Sequence, residues 1–294
     1  MRKILIAAAA GVLTATGLSA AGGSAAVTPP PTITGVVRVD KTSSGGPAIA
    51  KTVTVKCPAG KKVINASGKI IGGNAMTLLD EIYPSQDLTK VTVAGKNTDD
   101  AIHTVWAVEA IATCADPPSG LKRYFDSSND DMTSPKLALK ICPAGKAMLG
   151  TGMDIIGGQG GVRVNSIIPE VDTTGKIYGV LVNATADATD PPTGPWHVNG
   201  FAICADDVYK EQVISADGMM LSKGGELVVT CPFGTVGTGT GYDQLGPNGE
   251  YIIDSIDPGG STTSATNMTS LNAFEEDGTP GWVLVRAYAI CANR

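Results

Sequence analysis

Three kinds of side chain in this sequence have the chemistry to hold or act on another molecule. Carboxylates come first. Asp154, Asp243 and Asp254 fall at positions that recur along the chain, and a carboxyl pair across a sugar is the machinery of glycoside hydrolysis. The arrangement changes from copy to copy, however: Asp243 is followed by Asp254, Asp154 by Asn165, and Lys69 by Asp80. Turn or edge positions account for such acids, so Asp154, Asp243 and Asp254 are read as possible binding residues. Tryptophan is second. Trp106, Trp196 and Trp282 sit near one place in each copy, either as sugar-stacking platforms or as core on a strand that is apolar on both faces. Third, Asp126, Asn129, Asp130 and Asp131 form an oxygen-rich cluster that can hold Ca²⁺, although it lacks the EF-hand order and has no counterpart elsewhere. Calcium is the one cofactor the sequence makes room for.

No nucleophile-and-base pattern accompanies these groups. The two histidines, His103 and His197, are not equivalent, and neither Gly-x-Ser-x-Gly nor His-Glu-x-x-His occurs. Gly237-Thr238-Gly239-Thr240-Gly241 opens no helix and carries no Lys-Ser/Thr, so it is no phosphate loop. No catalytic residue is assigned.

The elements that must position these side chains come in threes. Cys57, Cys142 and Cys231 each begin Cys-Pro-x-Gly; Pro84, Pro169 and Pro258 follow at one spacing; Cys114, Cys204 and Cys291 close each copy within Ala-x-Cys-Ala. A repeat of about 87 residues uses all six cysteines. Threefold equivalence leaves two pairings, within each unit or between neighbours. The first makes every unit self-sufficient, and closing loops of that length would stabilise each by about 4 kcal/mol in the chain-entropy model. Zinc is the weaker use, since no Cys-x-x-Cys pair or nearby histidine completes a shell.

Arg2, Lys3 and the apolar run that follows read as a secretory signal peptide over residues 1–26. Its removal leaves 20 basic and 28 acidic residues, a net charge of −8. The expected product is secreted and extracellular, with its cysteines oxidised. Its acidity argues against nucleic acid and anionic membrane as partners, and no membrane insertion is expected; the partners it suits are an extracellular polysaccharide or protein.

Short β-branched runs such as Thr52–Val55, Lys90–Val93 and Gly179–Val182 are bounded by turn formers, and no long segment keeps a 3.6 period. The fold class is therefore all-β: three tandem disulfide-braced, sandwich-like repeats, over residues 27–116, 117–206 and 207–294, packed as three β domains or closed with the pseudo-threefold symmetry of a β-prism. Gly150, Gly152, Gly157 and Gly158, and Gly239, Gly241 and Gly246 in the third copy, mark a strand that bends or admits another backbone.

Cys-Pro-Ala-Gly-Lys at 57–61 and 142–146, together with Tyr-Ala-Ile-Cys-Ala at 288–292, resembles a secreted repeat module frequent in actinobacteria. That family's module stands alone or caps collagen-like segments and has no general catalytic role. Copy one departs from it with Asn65-Ala66-Ser67-Gly68, and copy three with Cys-Pro-Phe-Gly. A more distant likeness, of architecture only, is to the three-repeat β-prism of vitelline-membrane outer-layer proteins. The resemblance implies a non-catalytic binding or structural protein of the envelope or extracellular space. The alternatives are a carbohydrate-binding module, an extracellular hydrolase using acidic residues, or a protease inhibitor. The stretches between Pro84 and Trp106, Pro169 and Trp196, and Pro258 and Trp282 read as variable loops on a rigid frame. The Asn-x-Ser/Thr sites at Asn65, Asn183 and Asn267 matter only in a glycosylating host.

Overall fold

The computed structural model describes residues 31–73, 76–98, 104–221, 225–246, 251–259, 268–275 and 282–294. The signal-peptide assignment, His103 and Asn267 lie outside them. Among the described residues there are eighteen strands and no helix, six strands to each repeat. The first repeat gives β1 (Val37–Thr42), β2 (Ala50–Lys56), β3 (Lys62–Gly72), β4 (Thr77–Pro84), β5 (Lys90–Asn97) and β6 (Trp106–Ala115). The second gives β7 (Lys122–Ser127), β8 (Lys136–Ile141), β9 (Lys146–Ile156), β10 (Val162–Val171), β11 (Ile177–Ala186) and β12 (His197–Asp206). The third gives β13 (Gln212–Leu221), β14 (Glu226–Thr230), β15 (Thr235–Gln244), β16 (Tyr251–Asp257), β17 (Met268–Glu275) and β18 (Trp282–Asn293). The stretches read as variable loops therefore each hold a strand of eight to ten residues, β5, β11 or β17.

These strands form three six-stranded antiparallel sheets, in the orders β1-β6-β3-β16-β17-β14, β2-β5-β4-β9-β12-β7 and β13-β18-β15-β10-β11-β8. Each sheet is half one repeat and half another. In every unit the first, last and third strands pair together, and the fourth, fifth and second extend the neighbouring unit's half. The units are consequently not self-sufficient: one large apolar core runs through all three, and a smaller cluster around Ile64, Leu149 and Val236 also draws on each repeat. Passing round the molecule, repeat 1 joins repeat 2, repeat 2 joins repeat 3, and repeat 3 returns to repeat 1. The circuit closes where the Ile33 amide donates to the Asn293 carbonyl at 2.8 Å.

Bulges recur at matched places. Ile64, Leu149 and Thr238 each interrupt the register of the third strand against the sixth, and Asp80, Asn165 and Asp254 do so for the fourth against the fifth. A bulge sharpens local twist, and here it turns β3, β9 and β15 toward one another. They meet so closely that a Cβ on Gly150 would collide with the Ile64 carbonyl, and one on Gly239 with that of Leu149. Repeat 1 has Asn65 at this position, and its side chain fills the meeting point. Its amide donates to Ser67 (2.8 Å) and Thr240 (3.1 Å), its carbonyl accepts from the Thr151 amide (3.2 Å), and Thr151 donates to the Thr240 carbonyl (2.6 Å).

The disulfides join Cys57 to Cys114, Cys142 to Cys204 and Cys231 to Cys291, the within-unit pairing. Each ties the start of the Cys-Pro-x-Gly turn to the end of the sixth strand.

Candidate functional site

Because the three walls share one plan, they act as controls for one another. The face of each wall turned away from core residues such as Met153 and Ile155 carries a polar row, set by register. On the wall shared by repeats 2 and 3 the row is Asp217–Arg286–Asp243–Ser166. It is closed on itself: Arg286 grips Asp217 through Nε (2.5 Å) and Nη2 (2.8 Å), and Ser166 donates to Asp243 (2.7 Å). On the wall of repeats 1 and 3 Lys69 pairs with Glu109 (3.1 Å) and Asp257 (3.4 Å), and Arg38 with Asp257 (3.2 Å) and Asp40 (3.0 Å). Those charges are spent internally.

The wall of repeats 1 and 2 is different. Its row is Ser127–Asn199–Asp154–Glu81, and the carboxylates of Asp154 and Glu81, from different repeats, face each other across the seam between β9 and β4. Asp80, the adjacent bulge residue, adds a third. Burial pushes Glu81 up to about 7, with Asp154 and Asp80 raising it further. Burial also raises Asp154, against the pull of Asn199 and His197. Asp80 rises to about 6 because burial outweighs Lys96, whose ammonium stands 3.8 Å away. At neutral pH Glu81 is therefore near its midpoint.

The next row is aromatic. Phe125 and Phe201 are register partners, Phe201 faces Gly152, and Tyr83 lies two residues beyond Glu81. Gly152 has no side chain to intervene, and a Cβ there would stand 2.6 Å from the Ile82 carbonyl. The rings of Phe201 and Tyr83 meet edge-on above it at 5.1 Å. Arg123 stacks on Tyr83 (4.8 Å) and Phe201 (4.9 Å) and donates to the Pro84 carbonyl at 2.7 Å. Phe201 is covered, whereas Phe125 remains 51% exposed as the open edge of this shelf. At the opposite end of the face Lys96 also lines a cavity of about 650 Å³ with Gln159, Asp190 and Pro192. That volume falls in the range of small-molecule sites.

Of the residues singled out from sequence, Asp154 joins this face. Asp243 and Asp254 stand on different walls and do not come together. Trp106 and Trp196 are buried in the core, so neither can stack a sugar; Trp282 is 61% exposed. The reason is parity. Trp282 stands one residue earlier than its counterparts, so Val283 takes the inward place and the indole points out. Of the calcium candidates, the Asn129 carbonyl (2.9 Å) and Asp131 Oδ1 (2.5 Å) accept from the Lys136 ammonium. Asp126 accepts its neighbour Ser127's amide, and Asp130 faces His197 at 3.4 Å. No group of three His, Cys, Asp or Glu residues suited to a metal occurs among the described residues. Glu81 was missed from sequence because a seam between two copies brings it to Asp154, and Arg123, Phe125 and Phe201 because pairing of β7 with β12 joins residues far apart in repeat 2.

No protein-family model and no curated protein matches the chain. A solved structure described as "The Triple Jelly Roll Fold and Turret Assembly in an Archaeal Virus" is similar over 88% of this chain and 91% of that one, at 7% identity and a TM-score of 0.20. A likeness that loose carries no argument.

Proposed function

We propose that this is a secreted, non-catalytic binding protein whose recognition surface is the outer face of the wall shared by repeats 1 and 2, and that its ligand is a carbohydrate. The observation that carries this reading is the contrast among three equivalent walls. Two neutralise their polar rows internally, whereas in the third Glu81 and Asp154 join no ion pair among the described residues and stand beside a half-exposed ring. A sugar matches that pairing: its C–H face stacks on Phe125 while its hydroxyls bond Asp154, Glu81 and Asn199. The three disulfides suit an oxidising compartment, and the likeness to a secreted bacterial module supports export.

Glycan-array screening of the parent and of Phe125→Ala tests this. Binding by the parent, weakened roughly ten-fold by the loss of the ring, is the expected result; a parent that binds no glycan above background removes the reading. The adjacent carboxyls with raised pKa favour one second reading, a hydrolase. It predicts release of reducing ends from bound glycan by the parent and none by Glu81→Gln.

A further inference from the structure

The end of the molecule that carries the Cys-Pro-x-Gly turns has a chemistry the rest of the surface lacks. All three turns have one shape: the third-following amides of Lys61, Lys146 and Thr235 each donate to the turn's proline carbonyl at 3.1 Å, and Gly60, Gly145 and Gly234 have φ of 82°, 79° and 82°. The residue at the tip is Ala59, Ala144 or Phe233. Phe233 is fully exposed. Its turn is braced by the Cys231–Cys291 disulfide and by the Arg294 amide on the Gly234 carbonyl (3.1 Å), so the ring is held in water rather than folded back.

Charge gives the second observation. Lys56 and Lys90 are register partners at this end, Lys122 begins β7, Lys140 lies near the end of β8, and Lys210 precedes β13. None of the five forms an ion pair among the described residues; of the acids at this end, Asp116 is engaged by Lys61 (2.8 Å), Asp206 by Lys146 (3.0 Å) and Asp207 by Lys176 (2.5 Å), while Asp87, Asp172 and Glu211 stand among the lysines without joining these pairs. Like charges opposite one another in a ladder are destabilising, and Lys56 faces Lys90 with no internal counter-ion. An acidic chain thus gathers unpaired lysines at one end, with Phe233 its most exposed apolar residue beside Ile141 and Val208.

We propose that this end docks on an anionic phospholipid surface, with Phe233 entering the headgroup boundary and the lysines lying at the level of the phosphates. A wall polyanion would satisfy the lysines and leave the ring in water; a bilayer accommodates both. The sequence reading set anionic membrane aside on net charge, and it is the distribution of that charge that reopens the question. The inference is independent of the sheet face.

Co-sedimentation of the mature protein with phosphatidylcholine vesicles, with and without phosphatidylglycerol, tests it. Binding should require the anionic lipid, fall as salt rises, and drop roughly ten-fold or more in Phe233→Ala. Alanine already stands at this place in the other two turns, so the variant keeps the fold. Lys56→Glu should weaken binding, and the fluorescence of Phe233→Trp should shift to the blue on anionic vesicles. The proposal is overturned if the parent ignores anionic vesicles, if Phe233→Ala binds them equally, or if that substitution changes the sedimentation coefficient without lipid, which would make the ring a contact between copies.

Discussion

Asp254 carries a carboxyl oxygen, Oδ1, that is shut away from water and has no hydrogen-bond partner among the described residues. The bulge that places it there is met three times with three solutions. Asp80 has Lys96 within 3.8 Å, Asn165 accepts from the Thr185 hydroxyl at 2.6 Å, and Asp254 has no such partner among the described residues. Burial pushes its carboxyl up to about 8. The sign follows directly: between the ordinary carboxyl range and pH 8 the folded chain binds a proton that the unfolded chain has lost, so stability falls as pH rises through that window and levels off above it. Asp254→Asn, the residue used in repeat 2, should therefore stabilise by roughly 1–3 kcal/mol at pH 8 and by nothing at pH 4. Thermal unfolding at both values checks this; an equal shift at both would assign the effect to packing instead of charge.

At the scale of strands, the bulges and glycines bring the third strands of all three repeats into contact. Gly150→Ala should cost about 3 kcal/mol, because its Cβ would meet the backbone of another strand that cannot move aside. A urea midpoint unchanged from the parent would show that β3 and β9 are not packed in this way. Much of this level was legible in the sequence. The correspondence of Ile64 with Leu149 and Thr238, and of Asp80 with Asn165 and Asp254, marks the bulges, although nothing local distinguishes a bulge from a turn. The glycine spacing marks a strand that bends or admits another backbone, and the one-residue offset of Trp282 is visible in the sequence, although its outward face shows only in the structure. Hidden were the pairings across copies. Glu81 and Asp154 are register partners from separate repeats, and a unit that contains all six strand types gives no sign of which neighbour it will pair with.

For the molecule as a whole, shared sheets mean shared fate. Each wall breaks if either contributing repeat unfolds, so calorimetry should show one cooperative transition, with van't Hoff and calorimetric enthalpies in agreement. Three separable transitions would mean that the halves of each wall hold together only weakly. The sequence showed the disulfide frame, the strand class and the triplication because each lies within one copy. The closed circuit lies between copies, and it governs the rest. A half-wall left by the third repeat is completed only by the first, and the backbone bond from Ile33 to Asn293 sews the last unit to the beginning. Copy number is thereby locked: with one unit fewer, two bare strands would look for pairing elsewhere, and a fourth would have to prise open a seam already filled. An array of this kind cannot lengthen by gradual duplication, and its variety must come from what is written on the three walls and their ends.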